Sequence, residues 1–212
     1  MTEPGRVASL DVLRGACLAG ILVMNIQSFA MPHTAYLNPT AWGSLEGLEG
    51  AAWSVGRLVF DFKFISLFST LFGASLALAG PSSNPRRRLG WLIVFGLLHG
   101  YLVWYGDILF TYGVVGLAVL PALSWSLRRQ VTVGLAMLVV SSLLAAVCFV
   151  FYASLPAFIL DDVRAHYDAS SAAAEAEVFR GGWLTQLPLR ARIAFGNHVM
   201  GTLLETGWRA AG

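Results

Sequence analysis

The sequence predicts an all-α protein, a polytopic bundle of about five transmembrane helices with the beginning of a sixth. Three observations carry that expectation. The first is composition: 57% of the 212 residues are apolar and 12% are charged, and the mean hydropathy is +0.67. A soluble domain carries roughly 25% charged residues. A globule of 22.8 kDa still needs a polar coat, so this much apolar side chain requires lipid as its second solvent. The second observation is a series of apolar runs near the roughly 20 residues that cross a 30 Å hydrocarbon core. The third is the placement of arginine between those runs.

The first run, Leu10–Ala30, ends before the helix breaker Pro32. Asp11 and Arg14 interrupt its start, so it reads as a retained span despite a Ser28-Phe29-Ala30 segment that resembles a cleavage site. Arg57–Gly80 is the second, Leu89–Tyr105 the third and Ile108–Leu127 the fourth, with Gly106 and Asp107 as a short turn between the last two. Val131–Leu155 is the fifth and carries no charge. Unpaired backbone groups are not tolerated in hydrocarbon, so each run is expected to be helical.

Arg6 precedes the first run, Arg86, Arg87 and Arg88 follow the second, and Arg128 and Arg129 follow the fourth. All three groups share one side if each run crosses once, which places the N-terminus in the cytoplasm. Residues 1–155 form the expected bundle, and residues 156–192 read as a polar outer loop with an amphipathic helix. Residues 193–212 are the candidate start of a further helix, polar at Asn197, His198 and Glu205. A net charge of +2 without a basic stripe gives no support for nucleic-acid binding. Cys17 and Cys148 lie in apolar runs with no thiol spacing for a metal or a disulfide framework, and read as packing residues.

Ionisable groups inside spans are costly and mark candidate sites. His99 lies about ten residues into the third run, with a side chain suited to proton transfer near neutral pH, and is equally readable as a buried structural histidine. Gly96 and Gly100 around it permit close helix approach. Asp107, eight residues on in a continuous helix, would lie ~12 Å higher, out of direct contact with His99, and reads as an N-cap. Arg57 and Asp61 are one turn apart and able to pair, while Lys63 points elsewhere. Asn25 completes a polar cluster with His99, overhung by His33 and Tyr36. On the other side Asp11, Arg14 and Arg86–Arg88 form a basic rim, which positive-inside topology explains and a phosphate-rich ligand would also suit.

Several stretches resemble the YeiB-like family of bacterial inner-membrane proteins, domain of unknown function 418. They are Ser9-Leu10-Asp11-Val12-Leu13-Arg14-Gly15, Met24-Asn25-Ile26, Tyr36-Leu37-Asn38-Pro39-Thr40, Phe60-Asp61-Phe62-Lys63-Phe64 and Leu67-Phe68-Ser69-Thr70-Leu71-Phe72-Gly73, with Leu97-Leu98-His99-Gly100 through Trp104-Tyr105-Gly106-Asp107-Ile108-Leu109 the most specific. The opening is also similar to the transmembrane acyltransferases. The resemblance implies acyl transfer across the bacterial inner membrane, from cytoplasmic acetyl-CoA or another acyl-CoA to a hydroxyl of an outer glycan or lipid. It implies His99 as base, with Asn25 or Asp61 orienting, or His33 in its place. Asp11, Arg14 and Arg86–Arg88 would meet the donor, Lys63, Asp107 and His33 the acceptor, and no metal is called for. Family members are longer, so the chain reads as an N-terminal portion, and a homo-oligomer is one way to supply missing helices. The competing expectations are a transporter or proton-coupled permease lined by Asp61, Lys63, His99 and Asp107, and a non-catalytic membrane scaffold.

Overall fold

A computed structural model describes residues 8–79 and 84–203; Arg6 and residues 204–212 lie outside that range. Every regular element among the described residues is helical. The long helices are α1 (Ala8–Ala30), α4 (Lys63–Ala77), α5 (Pro85–Leu98), α6 (Leu109–Val119), α7 (Leu127–Ala153) and α10 (Trp183–Leu203). Short helices α2 (His33–Leu37), α3 (Gly47–Val55), α8 (Ala157–Ala165) and α9 (Ala169–Arg180) fill the connections.

Among the described residues, the expected five spans become three helices long and apolar enough to cross a membrane: Ala8–Ala30, Gly47–Ala77 and Leu127–Ala153. The second begins earlier than the hydropathy of Arg57–Gly80 indicated, because α3 leads into α4 through a widened turn at Gly56–Phe60. The third and fourth runs fall short for a physical reason. α5 ends at Leu98 in a second widened turn, His99–Val103, and the chain reverses at once. α6 gives way to a tight turn, Leu120–Ser124, where Pro121 cannot continue the hydrogen-bond ladder. Residues 156–192 are folded as α8, α9 and the start of α10, and α10 runs unbroken past the boundary expected at residue 193.

Two antiparallel pairs position the site. α1 lies along α4, where Gly20 receives the ring of Phe64: a Cβ at Gly20 would sit 2.2 Å from that ring. Nearer the start of α1, Arg14 donates to Ser75 Oγ at 2.5 Å and to Leu71 O at 3.5 Å, and pairs with Asp11 at 3.0 Å. α5 packs against α6 through Gly96 and Gly113, with Leu89 fully buried at the base of the pair.

α10 then closes over the α5–α6 reversal. Its inward residues recur with helical spacing: Gln186, Arg190, Ala194, Asn197 and His198. α9 rests on α2 and α10. α7 contains no buried residue. Cys17 is fully buried, but Cys148 stands exposed on α7, which corrects the reading of it as a packed residue.

Candidate functional site

The reversal after α5 assembles the principal site. Trp104 is extended, and its N–H donates back to His99 O at 2.8 Å, closing the widened turn. The carbonyls that a helix end leaves without partners are taken up by α10. Trp183 Nε1–H donates to Leu102 O at 2.9 Å, Arg190 to Val103 O, and Asn197 Nδ2–H to Tyr105 O at 3.1 Å. Tyr105 Oη–H reaches Ser28 O of α1 at 3.2 Å. The chain is thus turned back tightly enough to bring Asp107 beside His99.

Asp107 Oδ1 lies 2.9 Å from His99 Nδ1, and its Oδ2 accepts the Phe110 N–H at 2.9 Å. Direct contact between His99 and Asp107 corrects the expectation that they stand ~12 Å apart, which assumed a helix continuing to Tyr105. The Asp107 side chain is 0% exposed and that of His99 is 37% exposed. A carboxylate accepts, so Nδ1 carries the imidazole proton and Nε2 is left with its lone pair. Fixing one nitrogen of a histidine by a buried acid, while the ring stays partly accessible, is the arrangement that orients a general base. His198 of α10 approaches the other side of Asp107, Nε2 to Oδ2 3.6 Å.

A second group forms where the Gly47–Ala77 helix breaks. Arg57 Nη1 pairs with Asp61 Oδ2 at 2.5 Å, and Arg57 Nη2 donates to Tyr36 O at 2.8 Å. The guanidinium lies 5.1 Å from the Tyr36 ring centre and 5.3 Å from that of Trp53. Tyr36 thus offers both its carbonyl and its ring face to Arg57. Lys63 Nζ–H donates to Arg57 O at 3.2 Å. The break itself is Phe62, at φ +61°, a left-handed backbone that costs a non-glycine residue about 1–3 kcal/mol. A cavity of about 30 Å³, water-sized, lies beside Asp61 and Arg57 and is lined from α1 by Val23, Met24 and Gln27. An open groove lined by Arg57, Asp61, Phe62, Lys63 and Ser66 continues outward.

The remaining candidates are placed as follows. Asn25 sits half-buried on α1, one turn before Ser28, and forms no hydrogen bond to His99. His33 lies edge-on against Tyr105 at 5.4 Å, and its backbone N–H donates to Glu175 at 2.5 Å. Arg14 and Asp11 are engaged at the α1–α4 contact. Arg86, Arg87 and Arg88 are exposed in the first turn of α5, where Asn84 Oδ1 caps the Arg87 N–H at 3.1 Å. The C-terminal third of α1 links both polar groups, since Gln27 lines the Asp61 cavity and the adjacent Ser28 carries Tyr105.

Glu175, Arg190 and His198 escaped the sequence reading. All three are buried. For Arg190 and His198 the signal was the seven- and eight-residue spacing of polar residues along α10, which lowers the hydropathy of that helix and therefore counted against a span instead of for a site; Glu175, on α9, had no such local signal.

Fold and site together define a class: an all-helical protein with three helices of membrane-crossing length and a buried carboxylate holding a partly accessible imidazole. The chain is similar to three curated proteins. It is 39% identical over 127 residues to uncharacterized protein YeiB of Escherichia coli (strain K12), covering 59% of this chain and 32% of YeiB. It is 32% identical over 132 residues to uncharacterized protein YxaH of Bacillus subtilis (strain 168), covering 54% of this chain and 32% of YxaH. It is 28% identical over 155 residues to an uncharacterized 39.9 kDa protein in the amylase 3′ region of Bacillus acidopullulyticus, covering 68% of this chain and 42% of that protein. These relatives support a YeiB-like kinship, and the chain spans about a third of the length of the first two. No family model matches the chain, and no solved structure is similar to it.

Proposed function

We propose that the chain is the catalytic-base portion of a YeiB-like inner-membrane acyltransferase, moving an acyl group from acyl-CoA to a hydroxyl of an envelope glycan or lipid. The observation that carries the reading is the His99–Asp107 pair. In the proposed step, His99 Nε2 takes the acceptor hydroxyl proton as the oxygen attacks the thioester carbonyl. Asp107 stabilises the imidazolium through Nδ1–H. The carbon–sulfur bond then breaks, and the departing CoA thiolate takes the proton from His99.

The proposal is two-sided. α5 with its widened turn, and α6 with its terminal turn, make a pair of short crossings beside the three long helices, which restores five crossings and a cytoplasmic N-terminus. Arg86–Arg88 then face the cytoplasm, suited to donor phosphates, and His99 lies eleven residues beyond Arg88, ~16 Å deeper. The test is transfer of label from acetyl-CoA to a lipid or glycan extract by the protein in proteoliposomes. His99→Ala is expected to lower turnover at least ~100-fold and Asp107→Asn to lower it with the fold intact. Unchanged turnover in His99→Ala rejects His99 as the base.

One observation favours a second reading. A membrane-length helix broken at Asp61–Phe62, with charges at the break, is a feature of transporters. Flux of a substrate into vesicles without any acylated product, abolished by Asp61→Asn, would favour transport over transfer.

A further inference from the structure

His198 has no role in the chemistry above, and its surroundings are unusual for a histidine. It is 4% exposed, its ring stacks on Phe110 at 4.5 Å between centres, and it meets Tyr101 at 5.6 Å. Neither ring nitrogen has a hydrogen-bond partner among the described residues. Buried polar groups without partners are few in folded proteins and call for an explanation. Here Nε2 stands 3.6 Å from Asp107 Oδ2, longer than a hydrogen bond and well within the range of charge–charge interaction.

The approach is built into the sequence at Gly100. A Cβ there would lie 3.0 Å from His198 Nε2 and 3.3 Å from Asp107 Cβ, so only a glycine leaves room for the ring beside the acid. The other titratable or charged groups around the ring are few. The His99–Val103 turn contributes His99 and Tyr101, the reversal contributes Asp107, and α6 presents the neutral Phe110. Arg190, two turns earlier on α10, directs its guanidinium to Val103 O and Gln186.

We infer that His198 is a positioning residue, a second imidazole sharing Asp107, which sets how strongly that carboxylate holds a proton on His99. One buried carboxylate balances one imidazolium. Two imidazoles on opposite oxygens therefore compete for it and titrate as a coupled pair. His198 also withdraws part of the carboxylate's field from His99, through the dipole of its nearby ring when neutral and through its charge when protonated. The inference rests on the His99–Asp107 contact and holds whether or not the reaction is acyl transfer.

The test is NMR titration of the full chain in detergent micelles with isotopically labelled histidine. The four imidazoles are assigned by replacing each in turn. His198→Phe, which keeps a ring on Phe110, is expected to raise the His99 midpoint by about one pH unit, a tenfold gain in proton affinity. His198→Gln, whose amide still reaches toward Oδ2 without charge, is expected to raise it less and to turn a two-step His99 curve into a single step. A His99 curve unchanged in both variants overturns the inference. If His198→Phe does not fold, His198→Gln decides alone: a two-step curve surviving there overturns it. A moved midpoint with no acyl transfer retires the proposed function and leaves His198 in place, and transfer with an unmoved midpoint does the reverse.

Discussion

Gly96 on α5 and Gly100 in the widened turn that follows it stand about one turn apart, and each is there for what it lacks. A Cβ at Gly96 would sit 2.2 Å from the Phe110 nitrogen and 2.8 Å from Asp107 Oδ2, so the backbone of α6 and the acid itself occupy the space. Because the obstacle is backbone, Gly96→Ala is expected to cost at least ~1–3 kcal/mol and to pull Asp107 away from His99. Gly15, with no atom within 4 Å of its would-be Cβ, is the control on α1. Gly15→Ala is expected to stabilise by roughly 0.5–1 kcal/mol, because glycine inside a helix carries an entropic penalty that alanine does not. Thermal unfolding in detergent checks both, and a neutral Gly96→Ala would show that the α5–α6 contact is looser than described. Residue-level reading of the sequence went far here. The Gly-x-x-x-Gly pair announced the close approach, and Arg57 and Asp61 do pair. It missed the His99–Asp107 contact, because eight residues of separation were converted to distance through a helix that in fact ends at Leu98.

At the scale of elements, the α9 helix is held down by one acid. Glu175 accepts the His33 N–H at 2.5 Å, and the Thr34 N–H and Oγ1–H at 3.0 Å each, while Asn38 Nδ2–H donates to Tyr167 O at 2.8 Å. Glu175→Ala strands those donors and is expected to cost on the order of 2–4 kcal/mol locally. The loss should appear as faster hydrogen exchange in residues 169–180 with the exchange of α1 unchanged. Equal acceleration in both would mean that α9 is not a separable unit. The same clamp carries a pH dependence. Burial lowers the His33 pKa below its ordinary 6.5, partly opposed by the charge of Glu175. The folded clamp thus holds His33 neutral, and the unfolded segment binds a proton more readily as pH falls. Stability is complete above the ordinary histidine range and is lost as pH drops through it toward the lowered value. His33→Gln should flatten exchange in residues 169–180 between pH 7.5 and 5.5, roughly one unit either side of that range. None of this clamp was legible in residues 156–192, where acids among alanines read as a polar outer loop with an amphipathic helix. What makes Glu175 structural is the pair of backbone N–H groups at the start of α2, 140 residues away in sequence and invisible to any local pattern.

For the molecule as a whole, hydropathy located the longest apolar helices well and the shorter, mutually dependent ones less well. Helices α1 and α7 were located within a few residues, because a run of apolar side chains needs no partner to be recognised. α5, α6 and α10 depend on one another, and their ends are set by Trp183, Arg190 and Asn197 reaching the reversal from a distant helix. α7 gives the most direct test of the premise beneath everything else. It carries 27 residues, ~40 Å of helix, with none buried, and Val140, Leu143, Val147 and Phe149 are each more than half exposed. In water such a face would be an aggregation surface; in a bilayer it is an ordinary lipid contact. The two cysteines separate these cases. Cys148 is exposed on α7 and Cys17 is fully buried in the protein. A charged maleimide applied to sealed, then permeabilised, vesicles is expected to leave both thiols unlabelled, because neither hydrocarbon nor the packed interior admits it. In mild detergent, which keeps α1 against α4 but frays the lipid shield, Cys148 should label before Cys17, and in SDS both should label fully. An Ala136→Cys probe nearer the middle of α7 is expected to follow Cys148 with slower labelling. Were Cys148 and the Ala136→Cys thiol both modified in intact vesicles at the rate of a free thiol, α7 would lie in water, and the cost that makes His99, Asp107 and Asp61 informative as intramembrane groups would vanish with it.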